Sequence, residues 1–114
     1  MGVLLKEFTE AINGKVIAMS DDYENIELSG AYVSDLLSDV MGNAKDNQVW
    51  LTIMRHLNVV AVASLAGMPA ICFTCNVNPD EQVIKKAKDE DICLIVTDKS
   101  TFETAGILYS LFKK

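Results

Sequence analysis

Two local groupings in this chain have residue types that could do chemistry. The first is Cys72-Phe73-Thr74-Cys75, a C-x-x-C spacing that suggests redox or metal work. Reactive thiols of that pattern sit at a helix N-terminus, where the dipole lowers their pKa. Here Cys72 falls inside an apolar run and Cys75 at its end, which reads as a strand. Residues three apart on a strand point to opposite faces, so a shared metal or a disulfide requires the chain to bend at Phe73. Cluster ligation usually takes four protein ligands, and this chain offers three cysteines and one histidine. Buried structural thiols are the simpler reading. An iron–sulfur or redox accessory role through Cys72, Cys75 and Cys93 is the rival. The second grouping is Arg55, His56 and Asn58, directly after the apolar run 49–53. A general base needs an orienting partner and a substrate in reach, and the sequence supplies neither. No complete catalytic set is visible, so we expect no enzymatic activity.

What must position these residues is a set of short runs that are apolar throughout: 49–53 (VWLTI), 70–73 (AICF) and 92–96 (ICLIV). Strands without polar alternation are buried on both faces and belong to a parallel sheet covered by helices. Helical signals follow each run. Residues 58–66 (NVVAVASLA) are rich in β-branched side chains, which allows a strand. A possible cap at Asn58, a stop at Gly67 and Pro69 beyond it favour a helix. Asn78-Pro79-Asp80-Glu81 reads as a cap, a first-turn proline and two acids. Ser100-Thr101-Phe102-Glu103 spells a capping box, and Phe102, Ala105, Tyr109 and Phe112 then repeat at helical spacing, with Leu108 and Leu111 beside them.

Toward the N-terminus, Leu4, Leu5, Phe8, Ala11 and Ile12 share a helical face that stops at Asn13-Gly14. Residues 15–19 and 26–28 read as strands, with Gly30 as a break and 31–33 as a further short strand. Ser34 is the expected cap of a short helix buried through Leu36, Leu37, Val40 and Met41. Asp35 and Asp39 then fall four apart on its wet face.

The fold class is thus α/β, a three-layer module with a central, mainly parallel sheet flanked by helices. At 114 residues one domain, 1–114, is expected. Net charge is −6, and the basic cluster Lys85, Lys86 and Lys88 is flanked by acids. That argues against nucleic acid as a partner, since such binding needs a basic patch that displaces counterions. The longest apolar stretch, 59–68, is too short for a bilayer. Residues 1–12 carry Lys6, Glu7 and Glu10 and read as an amphipathic helix, not a leader peptide. An odd number of cysteines in apolar strands suits a reducing cytoplasm.

Ligands of open α/β sheets bind outside the carboxyl ends of the strands. Loops 52–58, 74–78 and 97–100 should emerge there together. They carry Arg55, His56, Asn58, Thr74, Asn76, Thr97 and Asp98, the expected ligand-binding residues. Helix N-termini at the same edge favour an anion such as a phosphate or nucleotide. Neither G-x-G-x-x-G nor G-x-x-x-x-G-K-[ST] occurs, so no cofactor is expected.

Residues 38–44 (SDVMGNA), 49–66 and 100–109 (STFETAGILY), with the layout between them, resemble the DRTGG-domain family over roughly 31–112. The family's namesake pentapeptide is not spelled out here. The resemblance implies the MurF/HPr kinase N-terminal-domain-like fold. It implies a non-catalytic regulatory or accessory module that binds a ligand or a protein partner. It further implies self-association, most simply as a dimer, and a link to electron-transfer or hydrogenase proteins.

Overall fold

A computed structural model of the protein describes residues 2–114; Met1, at the head of the amphipathic N-terminal segment, lies outside the described residues. Five strands form the main sheet in the order β2-β7-β6-β5-β4, with β2 Lys15–Ala18, β4 Gly30–Val33, β5 Gln48–Thr52, β6 Ala70–Phe73 and β7 Cys93–Val96. Strands β4 to β7 are parallel, and β2 runs antiparallel to β7. The three apolar runs therefore do lie side by side, with Val49 opposite Ala70 and Ala70 opposite Cys93.

Every residue of β6 and β7 is buried, as is β5 after Gln48. Successive side chains enter opposite cores. Trp50, Ile71, Phe73, Leu94 and Val96 join one cluster, with Val59, Val60 and Ala63 of α3 (Asn58–Ala66) and Val83 and Ala87 of α4 (Glu81–Asp89). Val49, Leu51, Cys72, Cys93 and Ile95 join the other, with Leu5 and Phe8 of α1 (Leu5–Ala11) and Leu108 of α5 (Thr101–Phe112). Helix α2 (Leu37–Asn43) packs beside α3 through Val40. Two helical layers on two cores are the reason these strands lack polar alternation.

Several local expectations are corrected. Leu4 is not on the face of α1. It lies in β1 (Val3–Leu4), 44% exposed, pairing antiparallel with β3 (Glu27–Leu28) in a small second sheet. Gly30 opens β4 instead of breaking a strand. The N-caps of α2, α3 and α4 are Leu36, Leu57 and Asp80, not Ser34, Asn58 or Asn78. Without Ser34 at the cap, its hydroxyl accepts from the Leu36 amide in a turn ahead of α2. Residues 58–66 are helical, ended by Gly67 at φ +75°. The capping box at Ser100 is formed, with Ser100 Oγ accepting from the Glu103 amide at 3.0 Å. On α5, Thr104 and Leu108 are buried, whereas Phe102 and Tyr109 are 87% and 65% exposed. Among the described residues no helix is long and apolar enough to cross a membrane. Lys86 pairs with Glu90 at 3.4 Å, the local ion pairing expected of the lysine cluster.

Candidate ligand-binding surface at the carboxyl ends of the strands

Because β4 to β7 are parallel, the segments that follow them leave at one edge of the sheet. Two of these segments are stitched together by backbone. The Cys75 amide donates to the Lys99 carbonyl and the Asn76 amide to the Thr97 carbonyl, both at 2.8 Å. To make these bonds Cys75 and Asn76 take φ +59° and +57°. An asparagine tolerates that left-handed region, whereas a cysteine is strained there. The Thr74 and Thr101 hydroxyls meet at 2.5 Å beneath the turn.

Not every expected residue faces outward. Thr97 is buried, and its hydroxyl donates to the Ile12 carbonyl at 2.9 Å, fastening the end of β7 to the segment after α1. Thr74 is fully buried. Arg55, His56, Asn76 and Asp98 are exposed. Arg55 Nη1 stands 3.4 Å from the Asn78 carbonyl, a long contact that spans the exits of β5 and β6 and leaves most guanidinium donors open. Asn58 is set apart: it lines a groove of about 410 Å³ between α2 and α3 with Leu37, Met41, Ala61, Val62 and Leu65. Among the described residues His56 has no hydrogen-bonded partner that would orient it as a base.

The helix ends at this edge differ. The N-terminus of α5 already holds the Glu103 carboxylate, whose Oε1 accepts from the Ser100 amide at 3.4 Å. Those of α3 and α4 have no side-chain cap. The first-turn amides of α3 partly close on their own chain, Val59 to the His56 carbonyl at 3.0 Å. At α4 the Val83 amide likewise closes on the Asp80 carbonyl at 3.0 Å, and Glu81 stands in the first turn.

Asp35 is the residue the sequence reading missed. It does not lie on α2. It lies in the segment after β4, where its Oδ1 accepts from Thr52 Oγ1 at 2.7 Å and from the Ile53 amide at 3.0 Å. It thereby ties the exits of β4 and β5. The signal was present: Asp35 follows a strand and precedes a helix, as do the residues of the other loops. Asp39 does lie on α2, half-exposed, and it also accepts from Tyr32 Oη at 3.0 Å. The Ser34 and Tyr32 hydroxyls hold its carboxyl below the usual carboxylate range. Burial, and then the Asp39 carboxylate, raise the Tyr32 phenol.

The three cysteines are free and dispersed. Cys72 is buried in the sheet, where desolvation pushes its thiol up to about 12, the opposite of an activated nucleophile. Cys93 lies on the same face but two residues out of register, since Cys72 faces Ile95 and Ala70 faces Cys93. Such diagonal neighbours are roughly 7–8 Å apart, beyond disulfide reach. Cys93 Sγ contacts Ser20 Oγ at 3.1 Å. Cys75 is exposed on the loop beyond β6 rather than at the strand's end. Among the described residues no three His, Cys, Asp or Glu side chains gather as a metal site. This arrangement does not support the iron–sulfur or redox rival.

A model of the DRTGG domain matches residues 7–111. No curated protein matches the sequence. Among solved structures, the chain is similar to the CBS and DRTGG domains of the regulatory region of Clostridium perfringens pyrophosphatase, in complex with its activator, diadenosine tetraphosphate. The TM-score is 0.78 at 11% identity, over 94% of this chain and 46% of that one. At that identity the likeness shows the fold, and this chain spans less than half of the similar one.

Proposed function

This chain belongs to the DRTGG-domain family, and from that premise we propose that it is a single-domain, non-catalytic regulatory module that binds a small anionic ligand, most simply a nucleotide. The pyrophosphatase region with the same fold is complexed with a dinucleoside polyphosphate activator. That ligand class, many phosphates and two bases, agrees with the chemistry at the carboxyl edge. The observation that carries the reading is Arg55, an exposed guanidinium held over the exits of β5 and β6 with most donors open. A planar fork of this kind suits phosphate oxygens. His56, Asn76 and Asp98 complete the exposed set. Asn58 borders it, and Thr74 and Thr97 shape it from below. Three free thiols suit a reducing cytoplasm. Self-association as a dimer belongs to this reading. A link to electron-transfer or hydrogenase proteins is carried by the family resemblance alone.

Titration calorimetry with diadenosine tetraphosphate, ATP and inorganic pyrophosphate tests the ligand. At least one should bind, and Arg55→Ala should weaken it about tenfold, ~1.4 kcal/mol, without changing the melting temperature of the free protein. Absence of heat with all three, or equal affinity in the variant, would overturn the reading.

A further inference from the structure

We propose that strand β4 and the outer stripe of α5 form a self-complementary interface with a second copy of this chain. The proposal deepens the self-association part of the functional reading and is independent of its ligand.

The stripe Phe102, Ala105, Tyr109 and Phe112 has the spacing of a buried helical face. The monomer buries only part of it: Ala105 and Phe112 are half-buried against the core, whereas Phe102 and Tyr109 are among its most exposed large apolar side chains. Ala105, Tyr109 and Phe112 instead wall an apolar groove of about 450 Å³ whose other side is Ser29, Gly30 and Ala31. The stripe therefore overlooks β4, the edge strand of the main sheet. Val33, at the far end of that strand, is 51% exposed.

An open edge strand pairs readily with another chain, and proteins usually guard against this with charge, proline or a bulge. The segment Gly30–Val33 (GAYV) has none of these, and its register with β5 runs unbroken. Two such edges related by a twofold axis pair antiparallel. That operation also brings the two α5 stripes onto one side of the joined sheet, a closed and isologous contact.

Charge permits a second copy at this face. The chain carries −6 overall, so two copies repel across most of their surfaces. Gly30–Val33 and the four stripe residues include no acid, and the charge at their rim is Lys113, whose ammonium lies 5.6 Å from the centre of the Tyr109 ring. This face is where like chains approach without that penalty. Covering Phe102, Tyr109 and Val33 with their half-exposed neighbours removes on the order of 500 Å² per protomer from water. Two copies then reach about the 1,000 Å² total that a specific interface needs.

Sedimentation velocity on the full chain tests this. The wild type, 12.5 kDa as a monomer, should run as a dimer with a dissociation constant of about 10 µM or tighter. Phe102→Glu with Tyr109→Glu should weaken dimerisation at least tenfold, with the circular dichroism spectrum and melting transition retained because both side chains are exposed. Leu65→Glu, on the exposed face of α3, should leave the dimer intact. A wild type that stays monomeric at about 100 µM overturns self-association altogether. A dimer that survives the double substitution, or that only Leu65→Glu dissociates, overturns this surface while leaving self-association standing.

Discussion

Trp50→Ala destabilises the fold by about 4 kcal/mol, the largest single-residue effect we expect. Trp50 is the largest fully buried side chain and sits in a central strand between β4 and β6. Its ring fills the core beneath α2 and α3. Its Nε1–H donates to the Ser34 carbonyl at 2.8 Å, where the chain leaves β4. Truncation opens a cavity and leaves that carbonyl without its partner, and the two losses add. Trp50→Phe separates them, because it keeps most of the volume and loses only the hydrogen bond, at roughly 1–2 kcal/mol. Trp50 is the only tryptophan, so unfolding in urea should be followed by circular dichroism. A melting temperature for Trp50→Ala within about 3 °C of the wild type would contradict this packing.

The second large effect is at Gly67. It ends α3 at φ +75°, and its amide and that of Met68 donate to the Ser64 and Ala63 carbonyls at 3.2 and 2.9 Å. Its own carbonyl accepts from the Asn47 amide at 2.9 Å, so the turn also positions the start of β5. A β-carbon here would clash with the Asp46 carboxylate as well as strain the backbone. Gly67→Val should therefore cost about 2 kcal/mol or more. Gly106 in α5 is the contrast, with no atom within 4 Å of an added β-carbon. Gly106→Ala should stabilise by up to about 1 kcal/mol through helix propensity. Thermal melts of the two variants should move in opposite directions; a Gly67→Val melt at or above that of the wild type would contradict the account of Gly67.

The sheet was legible because its information is local. Runs such as AICF and CLIV can only be strands buried on both faces, and their order along the chain dictates parallel neighbours. Gly67 and the Ser100 capping box were legible for the same reason: a helix end is written in three or four residues. Pairings between distant segments were not. Nothing in Leu4 announces β3 as its partner, and the antiparallel placement of β2 beside β7 depends on contacts some eighty residues apart. Periodicity also says that a helical face wants burial without saying by what. Phe102 and Tyr109 have that spacing and emerge on the surface. Asp35 failed differently, because the helix begins two residues later than the apolar pattern suggests, and the carboxylate is diverted to Thr52 and Ile53.

Convergence of the strand exits is also what the ligand proposal depends on. With β4 to β7 parallel, Arg55 and the loops after β6 and β7 share one edge, while the groove holding Asn58 lies to its side. Titrating isotope-labelled protein with diadenosine tetraphosphate while recording amide chemical shifts reads this out residue by residue. We expect the largest shifts at residues 53–57, 74–81 and 97–101. Shifts confined to the opposite, amino-terminal edge around Asp22, Glu27 and Asp91, or none at saturating ligand, would contradict the account.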